Sequence, residues 1–426
     1  MKKNVLLTLF FACTLQFAMA QWEPVQIGNS SAAVSVLQYD ILAENGLFVG
    51  TDGDGIFHSQ DNGNSFTDIS GNIGNKNIRS FWGAGTVLFV GTQNGVFFTA
   101  DLMNYMDATS TGLGSTDVTY FGIGSSAEGS STYAVGTNGA GIFTSAPDSP
   151  LGPWSGANNG LNGDALYINT LGGYYDPEAV TYLMTGTKGG VFFSFDDFGS
   201  WQPKNNGLTG PALNVTEVLP FGELPIIGTH AGLLFSPDYG DNWLPLLPDV
   251  RINAVKLSSY EDDITFYIFG DQNFFSYDLE TYYPINMNGF DGGEITKAAV
   301  GGGYIYVVSE TPGRSGGSLF RAPVDEVVSL GESFTSSNSL HQLNQNYPNP
   351  FSNQTTISYH LNRTTNVELL VMDISGRVVR QLVNTAQESG RHSVTIDAGD
   401  LPAGVYFYQL KTADKSVQTK KMIIRK

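Results

Sequence analysis

One short pattern returns along the first three quarters of the chain, and it limits the possible folds more than any other feature. LFVGTDGDGIFHS, ending at Ser59, is followed by LFVGTQNGVFFT to Thr99, YAVGTNGAGIFTS to Ser145, YLMTGTKGGVFFS to Ser194 and PIIGTHAGLLFS to Ser236. A worn copy, FYIFGDQNFFS, ends at Ser276. The glycine before the turn recurs at Gly50, Gly91, Gly136, Gly186, Gly228 and Gly270, with spacings of 41, 45, 50, 42 and 42. A seventh copy, YIYVVSETPGRSGGSLFRA, places Ser309 39 residues after Gly270. Each copy reads as strand, Gly-rich hairpin, strand, with glycines taking positive φ in the turn. An apolar run precedes each pair, as in Val215 to Leu219, and a short strand, often with an aromatic, follows it. Four strands per period of roughly 40 residues predict a β-propeller, and the near absence of helical periodicity argues against a helical solenoid.

Seven copies predict seven blades. The last copy lacks a good fourth strand, but Trp22-Glu23-Pro24 is similar to Trp201-Gln202-Pro203 and Trp243-Leu244-Pro245. Trp22–Ile27 is therefore expected to complete the final blade and close the ring, removing an exposed sheet edge. If Trp22 began an independent strand, the ring would have six or eight blades. The expected organisation is a signal peptide at 1–20, a propeller at 21–328, a Ser/Asn/Gly-rich linker at 329–342 and a small Ig-like β-sandwich at 343–426. The fold class is all-β, in keeping with 51 Gly, 27 Phe and 20 Tyr among 426 residues.

Lys2 and Lys3, the apolar stretch Val5 to Leu15, and Ala18-Met19-Ala20 form a secretory signal with cleavage after Ala20. The apolar stretch is short for a membrane span, and no span is expected in the mature chain. Cys13 is the only cysteine, so the mature chain would have no disulfide, thiol chemistry or Cys-based metal site. Charge is uneven: residues 21–332 carry a net −25, and residues 333–426 a net +4. So acidic a body repels phosphate backbones and makes nucleic acid an unsuitable partner.

The tail carries several motifs in order. These are Asn346 to Phe351 (with Pro348, Asn349 and Pro350), Thr356 to Tyr359, Met372 to Arg377 (with Gly376), Leu401 to Tyr406 (with Gly404), and a basic end from Lys420 and Lys421 to Lys426. Together they resemble the C-terminal sorting domain of the type IX secretion system of Bacteroidetes-type bacteria. The resemblance implies transfer through that machinery, as partner, to the outer cell surface or the medium after periplasmic passage. It also implies frequent removal of the domain.

Three turns resemble the Asp-box (BNR-type repeat) of sialidase-like and sortilin-like propellers, Ser-x-Asp-x-Gly-x-x-Trp/Phe. They are Ser59, Asp61, Gly63 and Phe66; Ser194, Asp196 and Trp201, with the glycine one place late; and Ser236, Asp238, Gly240 and Trp243. Thr99/Asp101 and Ser276/Asp278 are remnants. Asp in such turns accepts backbone N–H bonds, so these residues are expected to be structural. Asp52 and Asp54 are weak calcium candidates; otherwise no cofactor or metal is expected.

A sialidase-like enzyme would need an Arg cluster, an acid and a Tyr–Glu pair. The propeller offers only Arg79, Arg251, Arg314 and Arg321, of which Arg79 and Arg251 start inferred innermost strands facing the funnel. Xyloglucanase-like enzymes would require two facing propellers. Trp82, Trp154, Tyr174 and Tyr175 are candidate stacking residues for sugar or peptide. The sequence thus favours a non-enzymatic binding protein for glycan or protein. A propeller-type glycoside hydrolase or lyase is the alternative, as is an envelope assembly factor similar to the photosystem-assembly-factor propellers.

Overall fold

The computed structural model describes residues 22–425 except 41, 43–44, 109–111, 126–130, 146–148, 150–151, 176–180, 222–223, 261–262, 278, 280, 311–316, 329–340, 344–345, 347, 362–363, 375, 389, 400 and 414–416. The signal segment with Cys13, Ala18 and Ala20, together with Asp278, Arg314 and most of the expected linker, lies outside the described residues.

The repeat folds as antiparallel four-stranded units. In one of them, Ile168–Tyr174, Tyr182–Thr187, Gly190–Ser194 and Gln202–Pro203 pair in sequence order. Units beginning at Ile78, Val118, Val215 and Ile252 follow the same plan. An eight-stranded sheet combines the strands of 34–68 with those of 294–323 and Glu23–Pro24, the two halves meeting at the pairing of Val34 with Gly317. The first strand of each unit lies beside the first strand of the next, and Glu294–Gly301 lies beside Val34–Asp40. Second strands such as Gly46–Thr51 and Tyr182–Thr187 are buried at every residue, because sheets cover both of their faces. This is why they read as continuous apolar runs.

Two features of the Gly-Thr signature explain the stacking. The glycines at 50, 136, 186 and 228 do not have positive φ; they are small because the next unit approaches them. A Cβ on Gly50 would stand 2.6 Å from Ile78 Cγ2, one on Gly136 2.5 Å from Ile168 Cγ2, and one on Gly186 2.7 Å from Val215 Cγ1. The following threonines tie down the hairpins. The buried hydroxyls of Thr51, Thr92, Thr137, Thr187 and Thr229 donate to the carbonyls of Gly55, Gly95, Gly141, Gly190 and Gly232 at 2.8–3.0 Å. Each also accepts a turn N–H, as Thr187 does from Gly189.

Tryptophans pin four of the outer edges to the unit before them. The indole Nε1–H of Trp154 donates to Ala108 O, that of Trp201 to Ala157 O, and that of Trp243 to Lys204 O, at 2.7–2.9 Å. Trp22, 1% exposed, donates to Asn286 O at 2.8 Å, and Glu23 and Pro24 pair with Arg321 and Phe320. Arg321 gathers three segments: it bonds Glu23 Oε1 and Asn64 Oδ1 at 2.7 Å each and also donates to Asn62 O.

The tail forms a three-stranded sheet (His341–Leu343, Gln354–Leu361, Gly390–Asp397) and a four-stranded one (Thr365–Met372, Val378–Gln387, Gly404–Thr412, Val417–Ile424). They share a core that includes Phe351, Ile357, Leu369, Tyr408 and Met422.

Placing a methyl group at Gly136 forces neighbouring units apart, so Gly136→Ala should cost about 1–3 kcal/mol, read as a lower urea midpoint at unchanged m. A second expectation concerns pH. His58 is buried, stacks on Phe48 at 4.3 Å, and has Nε2 3.3 Å from Asp40 Oδ2. Burial pushes its pKa below the ordinary value, against the pull of Asp40. The unfolded chain therefore binds the proton first as pH falls. The contribution of His58 is present above about pH 6.5 and is lost as pH falls towards the depressed folded value. The urea midpoint should drop between pH 7.5 and pH 5, and by less in His58→Gln.

Candidate functional site

Every innermost strand carries a register shift just after its first apolar residue: between Val34 and Val36, Ile78 and Ser80, Val118 and Tyr120, Ile168 and Thr170, Val215 and Glu217, Ile252 and Ala254, and Ile295 and Lys297. A bulge re-aims one side chain out of the ladder. The bulged residues Ser35, Arg79, Thr119, Asn169, Thr216, Asn253 and Thr296 all line one pocket of about 400 Å³. Most of them also bond the next unit. Ser35 Oγ donates to Ile78 O, Thr119 Oγ1 to Ile168 O, Asn169 Nδ2 to Val215 O, Thr216 Oγ1 to Ile252 O and Asn253 Nδ2 to Ile295 O, at 2.6–2.8 Å. The pocket thus sits where the innermost strands converge, inside a belt of hydrogen bonds.

Charge at the pocket is mixed but ordered. Arg79 lies 3.1 Å from Asp52 and 3.5 Å from Asp117. Lys256 pairs with Glu217 at 2.9 Å. Arg251, outside the lining, holds Asp271 at 3.0 Å and Glu294 at 2.8 Å. Lys188 lies 4.3 Å over the Tyr167 ring, where a cation meets the negative face of the π-system. Lys297 lines the pocket with its side chain exposed; desolvation and then Lys256 push its pKa down, against the pull of Glu217 and Glu310. His230 is also held below its usual pKa, by burial and then by Arg251, and receives a bond from Asn214 Nδ2 at 3.1 Å.

The sequence candidates separate in space. Arg79 is in the pocket. Trp82 is half-buried against Phe89 and Phe121. Trp154 is 3% exposed between units and offers no face to a ligand, because its ring fills the inter-unit core. Tyr175 is exposed, whereas Tyr174 lines a separate apolar cleft of about 960 Å³ with Phe221, Tyr239, Ile374 and Val405. Asp52 and Asp54 diverge: Asp52 faces Arg79, and Asp54 Oδ2 accepts bonds from Ser30 Oγ, Ser31 N and Ala32 N. No group of three or more potential metal ligands occurs among the described residues. Apart from Arg79, the sequence reading passed over the polar ring, and it passed over Lys188 and Lys297. A polar residue after the first apolar residue of each innermost strand was the available signal.

The Asp-box carboxylates bind their own turns. Asp61 Oδ1 accepts from Ser59 Oγ and Ser65 N, Asp196 Oδ1 from Ser194 Oγ and Ser200 N, and Asp238 Oδ1 from Ser236 Oγ and Asn242 N, each at 2.8 Å. The N–H groups of Gly63 and Gly240 donate to the serine oxygens. The late glycine of the Ser194 turn shifts that role to Phe198 N. Bonds from Ser200 hold the Asp196 carboxyl below its ordinary pKa despite partial desolvation.

The tail motifs are joined. Asn349 accepts from Ile423 N at 2.8 Å and donates to Lys421 O, while buried Phe351 donates its N–H to Ile423 O. Pro348 O accepts from Thr355 Oγ1 at 2.7 Å. Gly376 has φ 74°, and the adjoining Arg377 pairs with Asp373. Gly404 opens the strand that carries Tyr406, whose hydroxyl donates to Pro402 O; Lys420 and Lys421 pair with Tyr408 and Phe407 across it.

Residues 345–425 match the family of secretion system C-terminal sorting domains, a domain that implies handling by type IX secretion machinery. In fold the chain is similar to the extracellular domain of a hybrid two component system from B. thetaiotaomicron, with 15% identity and TM-score 0.53, over 95% of this chain and 57% of that one. It is also similar to the extracellular domain of a one component system from the same organism, with 13% identity and TM-score 0.51, over 95% and 59%. A third similar structure is YCF48 bound to D1 peptide, with 13% identity and TM-score 0.50, over 71% and 97%. At these identities the likeness is one of fold, and it supports a β-propeller. The chain spans 57% of the length of the first of these structures. No curated protein matches the sequence. Among the described residues no helix is long and apolar enough to cross a membrane.

Asp238→Ala removes the acceptor that closes its turn. It should lower stability by about 1–2 kcal/mol in urea titrations without altering ligand retention, since the carboxylate faces its own turn.

Proposed function

We propose that this chain is a β-propeller binding protein of the cell surface or medium, delivered by type IX secretion, whose ligand is a glycan or a protein. In this reading residues 1–20 are a signal peptide, 21–328 a seven-bladed propeller with Asp-box-like turns, 329–342 a linker and 343–426 an Ig-like sorting domain. Closure of the ring by Trp22–Ile27 is supported by the Trp22 bond to Asn286 and the pairing of Glu23 with Arg321. A structural role for Asp61, Asp196 and Asp238 is supported by their bonds to local serines and backbone.

The observation that carries the binding reading is the axial pocket, walled by one bulged residue from each innermost strand. The carboxylates around it are engaged by cations: Asp52 and Asp117 by Arg79, Glu217 by Lys256, and Glu294 by Arg251. Glycoside hydrolysis needs an acid and a second carboxylate that both face the substrate, and these carboxylates face cations of the wall instead. Binding therefore suits this pocket better than hydrolysis.

The test is to pass the purified protein over immobilised polysaccharides and envelope proteins while following released products by mass spectrometry. Retention without new oligosaccharides is expected. Accumulating oligosaccharides would replace this reading with the hydrolase or lyase; retention only by one stoichiometric protein would favour the assembly factor.

A further inference from the structure

The geometry points to a sugar acid as occupant of the axial pocket: a short glycan end with a carboxylate held between Lys188 and Lys297 and hydroxyls facing the polar ring. This inference rests on the binding reading and narrows it to one ligand chemistry and one place.

Two independent features of the pocket wall lead there. The first is positive charge without an ion pair. Lys188 and Lys297 both line the pocket, and among the described residues no carboxylate lies within ion-pair distance of either. Two nearby acids are occupied, Glu217 by Lys256 at 2.9 Å and Asp52 by Arg79 at 3.1 Å, and Glu310 acts on Lys297 without an ion pair. Both lysines are exposed at the pocket, and Lys297 is repelled by Lys256 while Glu217 and Glu310 pull the other way. A bound carboxylate would give each lysine the direct counter-ion that it lacks. The body outside is strongly acidic, with a net −25 over residues 21–332, so this local excess of cations is not a general surface property.

The second feature is the hydrogen-bonding character of the ring. The hydroxyl protons of Ser35, Thr119 and Thr216 are directed to carbonyls of the next unit. Asn169 directs its amide to Asn214 Oδ1 and Val215 O, and Asn253 to Glu294 Oε1 and Ile295 O. With their donors committed, these side chains offer oxygen lone pairs to the pocket. A wall of acceptors calls for a ligand rich in O–H donors, and the lysines call for an anion. A sugar acid supplies both. Ile168 is the one apolar residue in the wall, so a peptide anchored by apolar side chains finds little to bury there. The volume of about 400 Å³ lies in the range of roughly 300–1,000 Å³ usual for small-ligand sites.

The experiment is isothermal titration of the whole chain with galacturonate and glucuronate disaccharides and with their methyl esters, which keep the hydroxyls and lose the charge. At least one acid should bind about tenfold or more tightly than its ester. Lys297→Met and Lys188→Met should each bring the acid to the level of the ester with unchanged circular dichroism and urea midpoint, while Lys411→Ala in the tail changes nothing. Equal affinity for acid and ester, no binding of either, or a Lys297→Met protein that binds the acid normally would overturn the inference. Displacement by inorganic phosphate at equal affinity would also overturn it, because the pocket would then read charge alone. A polysaccharide retained equally by the wild type and Lys297→Met keeps the binding reading and removes the axial site. Loss of all retention on every matrix removes the reading itself.

Discussion

The close approach of each innermost strand to the glycine of the preceding unit governs the architecture. At Gly50, Gly136, Gly186 and Gly228 the space a Cβ would fill is taken by Ile78, Ile168, Val215 and Ile252. Because an interior packed at crystal-like density has no slack to absorb a methyl group, these positions set the distance between sheets. The rest follows from that distance. Threonine hydroxyls reach the hairpin carbonyls, indoles reach back to the unit before, and the bulged residues come close enough for one side chain to bond the next strand.

Much of this was legible in the sequence because repetition amplifies weak signals. A single Gly-Thr pair means little, but six glycines at a spacing near 40 fix a strand pattern. The likeness of Trp22-Glu23-Pro24 to Trp201-Gln202-Pro203 rested on local letters, and the pairings made by Trp22 and Glu23 agree with it. The tail motifs were equally readable, since Asn349, Phe351 and Tyr406 act through short contacts within one small unit. Other features were hidden for physical reasons. Trp154 looked like a ligand candidate because an aromatic near a loop reads alike whether it faces solvent or the core. The polar ring was obscured because each member differs in type, from serine to arginine. What is shared is a backbone irregularity, and a bulge leaves no fixed residue signature.

The distribution of charge gives the molecule an inside and an outside of different character. The acidic surface keeps the body soluble and repels polyanions in general. At the axis, arginine and lysine side chains stand among the polar ring residues, and Arg79, Arg251 and Lys256 are each matched by a carboxylate within about 3 Å. The two lysines without such partners stand within a wall of oxygen acceptors. Selectivity in such a pocket comes from a mismatch left open by the fold, since paired charges discriminate poorly once satisfied.

The pairing of the first described strand with the last unit bears on the order of events during export. Glu23 and Arg321 are 298 positions apart, yet they share an ion pair, and Arg321 also reaches the turn at Asn62 and Asn64. A chain threaded through a membrane from its N-terminus delivers Trp22 and Glu23 early, hundreds of residues ahead of their partners. Until the segment around Phe320 emerges, the strand of Glu23 and Pro24 keeps its edge unpaired. Long-range contacts of this kind are slow to form, and open edges invite pairing with other chains. Were the chain delivered in that direction, the body could not reach its final state before nearly all of it had crossed. The sorting domain at 345–425 would then come after both of the segments that close the body.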